Sequence, residues 1–109
     1  MRVRGAVVAV LFGAAMGVAS GAVAAAMVTV PQRGRAFAVS RLDVAQGGVV
    51  RFVNEDGFLH QVFVAAPGLS FESDEQAPGT SVDVRFPAAG AFEVRCHIHP
   101  KMLLRVDVR

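Results

Sequence analysis

Three stretches near the carboxyl end alternate with a period of two. In SVDVRF (81–86), Val82, Val84 and Phe86 share one side of an extended chain, and Asp83 and Arg85 take the other. In AFEVRC (91–96), Phe92, Val94 and Cys96 oppose Glu93 and Arg95. In LLRVDVR (103–109), Leu104, Val106 and Val108 oppose Arg105, Asp107 and Arg109. Such alternation describes half-buried antiparallel strands, apolar within and polar without. Shorter strand candidates lie upstream at MVTV (27–30), AFAV (36–39), VVRFV (49–53) and HQVFV (60–64). Turn signals separate them: AQGG at 45–48, NEDG at 54–57, APG at 66–68 and 77–79, and PAAG at 87–90. FESDEQ (71–76) is polar and suits a loop or a brief helix. No repeat or long helical periodicity competes, so the expectation is an all-β chain, a small sandwich or barrel.

The amino end has a different character. MRVR is basic, Gly5–Ala26 is uncharged and rich in Ala, Val and Gly, and AVAAA (22–26) offers the small-residue spacing of a signal-peptidase site. Residues 1–26 therefore read as a signal peptide, with cleavage after Ala24 or Ala26. The rival reading is an uncleaved anchor, since no charge falls between Arg4 and Arg33. Both readings export the domain at 27–109. Removing Arg2 and Arg4 with the leader reduces the eleven Lys and Arg to nine, equal to the nine Asp and Glu. The pI of 9.5 is thus no argument for nucleic acid.

A domain this short sits near the lower limit for a self-sufficient core, and exported domains of this size commonly add disulfides or a metal. The single cysteine, Cys96, cannot form an internal disulfide. It stands instead at the head of CHIHPKM, with His99 three residues on and Met102 three further. These three share one loop between two strands. Cys96 lies on the inward side with Phe92 and Val94. His60 starts another strand, shares parity with Val62 and Val64, and can face inward at the end where the loop lies.

Two imidazoles, a thiolate and a thioether form a soft donor set, which favours copper and electron transfer. Zinc gains little from a thioether, and haem attachment needs a second cysteine. The plain alternatives are a space-filling buried thiol, an intermolecular disulfide and a core methionine. His97 points away from Cys96 if the strand continues, and reads as a surface histidine. Glu55, Asp56, Asp74 and Glu75 read as solvated surface and loop, with an acidic docking patch as the other possibility. No Ser/His/Asp set or phosphate-binding glycine loop is present.

Asn54-Glu55-Asp56 with His60, then PGTSVDVRF, AAGAFEVRC and CHIHPKM before a terminal strand, resemble the cupredoxins of the plastocyanin, amicyanin and pseudoazurin type. The resemblance runs from about Phe37 to the end and is most specific in C-x-x-H-P-x-M. It implies a Greek-key β-sandwich holding one copper ion that cycles between Cu(I) and Cu(II). His60, Cys96 and His99 would be the strong ligands and Met102 the axial one. It also implies that Asn54 braces the cysteine loop. Leu59 and Gln61 depart from the Pro or Asn that relatives often carry beside the histidine.

The expected function is a periplasmic one-electron carrier, a monomer that meets a donor and an acceptor redox protein transiently. It binds no nucleic acid, and it touches the membrane only if the leader is retained. A closed four-ligand site leaves no position for substrate, so no enzymatic activity is expected. The alternative is a periplasmic copper chaperone or buffer using the same ligands.

Overall fold

A computed structural model describes residues 26–109; all of the expected leader except Ala26 lies outside them. Eight strands follow one another: β1 (Met27–Gln32), β2 (Arg41–Val44), β3 (Gly48–Asn54), β4 (Phe63–Ala66), β5 (Leu69–Glu72), β6 (Ser81–Phe86), β7 (Gly90–Arg95) and β8 (Leu103–Val108). They form two sheets, β1-β3-β6 and β2-β8-β7-β4-β5. This is a Greek-key β-sandwich, with no helix among the described residues.

The alternating stretches become β6, β7 and β8 in the expected phase. Phe92 and Val94 of β7 stand opposite Val106 and Leu104 of β8, and all four are buried. Val84 and Phe86 face them from the other sheet, and the Phe86 ring lies 5.8 Å from that of Phe92. Each inward side chain removes apolar surface from water at about 25 cal/mol per Å2, so a one-residue slip would expose the whole set. The AQGG turn feeds β3 through Gly47, whose φ of 83° suits glycine. Gly48 follows under the carbonyl of Ala45, where an added Cβ would come within 2.9 Å of the oxygen.

Three expectations are corrected. First, the strand at 36–39 does not form. Gly34 and Arg35 take φ of 66° and 57° in a tight turn, closed by Arg33 N–H donating to Ala36 O at 2.9 Å. Phe37 then makes one bridge to Gln32 and sets its ring edge-on to Phe52 at 5.5 Å. The strand comes later, at β2. Second, the antiparallel reading holds for β6 against β3 and for β7 against β8, but β8 also pairs in parallel with β2, as β1 does with β3, because alternation reports which face is buried and not the direction of a neighbour. Third, FESDEQ is neither helix nor wholly loop: Phe71 and Glu72 complete β5.

The topology brings three connections to one end of the sandwich. Gln32 and Asn54 are paired at the ends of β1 and β3. Phe63 at the start of β4 pairs with Arg95 at the end of β7. The turn after β1, the 55–62 connection and the 96–102 connection therefore meet there.

Candidate metal centre

His60, Cys96 and His99 come together at that end, one donor atom from each lying within 4.8 Å of the others. His60 Nδ1 is 3.2 Å from His99 Nδ1, and Cys96 Sγ is 4.0 Å from His99 Nδ1. An ion bound at about 2.0–2.3 Å from nitrogen and sulfur donors spaces those donors roughly 3–4 Å apart. The three atoms thus fit around a single ion. Cys96 and His60 are buried, while His99 is half-buried. Met102, at the far end of the loop, is buried in the core and donates its N–H to His99 O at 2.9 Å. His97 turns outward, and its ring stacks on Phe63 at 3.7 Å between centroids.

Each ligand candidate has its own support. His60 sits outside β4, in a two-way backbone bridge with Gln76. Gln76 is itself buried, and its Nε2 donates to Phe52 O at 3.2 Å while its Oε1 accepts from Gln32 Nε2 at 2.9 Å. Asn54 is buried too, but it braces the His60 connection rather than the cysteine loop. Its Nδ2 donates to Phe58 O and Gln76 O, and its Oδ1 accepts from Asp56 N–H. The cysteine loop is tied down by Gln61, whose Oε1 accepts from His97 N–H at 3.3 Å while its Nε2 donates to Ser73 O.

Asp56 overturns the reading of a solvated acid. Its side chain is only 9% exposed, and its Oδ2 lies 2.7 Å from Nε2 of the fully buried His60. Burial alone would push its carboxyl up. The hydrogen bonds from His60 and from the backbone N–H groups of Gly34 and Arg35 outweigh that and hold it below the usual carboxylate value. Sequence position four residues before His60 was the only available signal. Nothing in the alternation marks an inward Asp.

Phe58 fills the space beside the two imidazoles, edge-on to His60 at 5.4 Å and to His99 at 5.3 Å. The Arg35 guanidinium lies over the Phe58 ring at 4.5 Å from its centroid. Desolvation is the main reason the His99 imidazole is held below its ordinary value; His60 and Arg35 push the same way. A neutral imidazole is the form that binds metal. Around His99, a shallow surface depression is lined by Arg35, Ile98, Pro100 and Lys101, with Leu59 and Ile98 exposed.

No protein-family model matches the sequence, and no curated protein matches it. Solved structures do. A Cu-containing nitrite reductase from Thermus scotoductus SA-01 is 28% identical, with a TM-score of 0.69 over 75% of this chain. This chain spans only 22% of that enzyme's length. A methionine-to-alanine mutant of amicyanin with Cu(I) is 21% identical, with a TM-score of 0.71 over 76% of this chain and 82% of amicyanin. A proline-to-glycine mutant of amicyanin, in its reduced Cu(I) form at pH 4, is 22% identical with the same TM-score and coverage. The chain thus has the cupredoxin fold of these copper proteins, and its His-Cys-His cluster fits a blue copper site.

Proposed function

We propose that this chain is a small exported type 1 copper protein that carries single electrons between redox proteins of the periplasm. His60, Cys96 and His99 would hold one copper ion, with Met102 as the axial ligand. The observation that carries this reading is the convergence of two imidazole nitrogens and one buried thiol on a point beside the half-buried His99. Two His and one Cys with a weak thioether are the donor set of electron-transfer copper. When bound, copper supplies a one-electron couple.

The protein's own residues do the rest. Gln61, Gln76 and the Met102-to-His99 hydrogen bond hold both ligand connections before any metal arrives. A site held this way changes little in shape between the two oxidation states, which keeps the cost of electron transfer small. Cys96 and His60 are closed off from water. His99 offers the exposed edge, beside the apolar Ile98 and Pro100 and the cations Arg35 and Lys101, and the exposed Leu59 precedes His60 in the chain. Among the described residues no helix is long and apolar enough to cross a membrane. A copper-delivering protein would draw on the same ligands, but burial of two of them favours retention over release.

The test is a visible and EPR spectrum of residues 27–109 after one equivalent of Cu(II), with Cys96→Ser alongside. Strong thiolate-to-copper absorption and a narrow copper hyperfine splitting, both lost in C96S, are the expected result. A colourless protein, or a spectrum indifferent to Cys96, would overturn the reading. Ready transfer of Cu(I) to a soluble chelator, without a reversible potential, would instead favour copper delivery.

A further inference from the structure

The tight turn after β1 contains the only non-glycine residue of the described chain with a positive φ, Arg35 at 57°. A left-handed conformation costs an L-residue about 1 kcal/mol, so something around it must hold it there. The turn directs two successive backbone N–H groups at one carboxylate, in the manner of an anion-binding nest. Gly34 N–H donates to Asp56 Oδ1 at 2.7 Å, and Arg35 N–H donates to Asp56 Oδ2 at 3.1 Å. The same Oδ2 lies 2.7 Å from His60 Nε2. The neighbouring guanidinium groups are engaged elsewhere: Arg33 with Glu55, and Arg35 over Phe58. The charge of Asp56 is therefore directed at His60.

An ionised carboxylate only accepts hydrogen bonds. At 2.7 Å it places the imidazole proton on Nε2 and leaves Nδ1 bare, facing His99 and Cys96. We propose that Asp56 is a positioning residue of the metal site, one that fixes the His60 tautomer and ring orientation and biases bound copper toward Cu(II). The bias has a plain electrostatic origin. A negative charge hydrogen-bonded to a ligand raises that ligand's basicity and favours the more highly charged ion. The redox half of this inference rests on the copper reading above; the tautomer half does not.

The experiment has two readouts. Long-range 1H–15N NMR of the metal-free domain reports which nitrogen of His60 carries the proton. Voltammetry of the copper-loaded domain reports the potential of wild type, Asp56→Asn and Glu55→Gln. The Asn variant keeps the size but loses the charge and one acceptor. Glu55→Gln opens the ion pair with Arg33 on the same turn without touching His60. Expected are an Nε2–H tautomer in the wild type, a shift toward a mixture in D56N, and no change in E55Q. The ratio of Cu(II) to Cu(I) affinity falls about tenfold in D56N, read as a potential higher by about 59 mV.

A wild-type His60 protonated on Nδ1 would overturn the inference, and this needs no variant to fold. An unmoved potential in D56N would overturn it too, as would an equal shift in E55Q, which would assign the effect to the turn's mobility. If the wild type forms no blue copper centre, the electron-carrier reading falls, and the tautomer alone decides the role of Asp56.

Discussion

His60 and Gln76 hold each other through their main chains, His60 N–H donating to Gln76 O at 3.1 Å and Gln76 N–H to His60 O at 2.7 Å. This bridge lies outside both sheets, and it fixes the backbone of a ligand candidate that no strand contains. The Gln76 side chain extends the brace inward to Phe52 O and Gln32. Gln76→Leu keeps the backbone bridge but strands Gln32 Nε2, beside a Gln32 Oε1 that already lacks a partner. A buried polar group left unsatisfied costs about 1–3 kcal/mol. Urea unfolding of the metal-free domain should show a loss of that size; a loss below about 0.5 kcal/mol would mean that the brace is idle.

Two exposed apolar side chains next to the candidate ligands His60 and His99 predict a kinetic effect without a spectroscopic one. Leu59 and Ile98 are 41% and 38% exposed, and neither is among the candidate ligands. Leu59→Glu and Ile98→Glu should each slow electron self-exchange about tenfold at low salt, and less at high salt. The visible spectrum should not move. NMR line broadening in mixtures of the two oxidation states measures the rate, and an unchanged rate would place docking elsewhere.

Across β3 and β6, Arg51 and Asp83 stand in register and make two hydrogen bonds, at 2.8 and 3.0 Å. The bond from Arg51 is the main reason the Asp83 carboxyl is held below its ordinary value of 3.8; burial opposes it and loses. A depressed folded value means that the unfolded chain binds the proton more readily. The pair's contribution is therefore present above about pH 4 and is lost as pH falls through the folded value. Asp83→Asn should melt lower than wild type at pH 7 by a small margin, since both side chains are well exposed. The two curves should converge once the pH lies below the folded value of Asp83. A difference that persisted there would point to packing rather than charge.

Two glycines near turns should respond in opposite ways to a methyl group. At Gly48 a Cβ would meet Ala45 O at 2.9 Å, whereas at Gly57 nothing lies within 4 Å. Gly48→Ala should destabilise by about 1–3 kcal/mol as backbone shifts to relieve the clash. Gly57→Ala should stay within about 0.5 kcal/mol of wild type or gain slightly, because alanine restricts the unfolded chain. Equal denaturant midpoints for the two variants would contradict the tight approach at Gly48.

The legible parts of this protein were those with a local cause. Phe92, Val94, Leu104 and Val106 could be assigned to the interior because strand geometry alternates faces regardless of what lies opposite. Cys96, His99 and Met102 could be grouped because seven residues of loop cannot carry them far apart. Asn54 and Asp56 were less legible. Both sit in a polar turn signal, and which polar side chain turns inward depends on partners from other segments. For Asn54 the distant partner is Gln76; for Asp56 the distant partners are Gly34 and Arg35. The strand at 36–39 failed for a similar reason, since apolar Phe37 serves as a plug over Phe52 rather than a rung in a ladder.

By itself the sequence determined the all-β character, the inward faces of β6, β7 and β8, and a soft donor set gathered in one loop. Those follow from periodicity and short spacing, which act within a few residues. Tertiary structure alone decided the parallel pairing of β1 with β3 and β2 with β8, the seating of His60 outside any strand, and the carboxylate placed behind it. The reason is distance along the chain. His60 meets His99 only because Phe63 pairs with Arg95, and Asp56 meets the Gly34–Arg35 turn only because Gln32 pairs with Asn54.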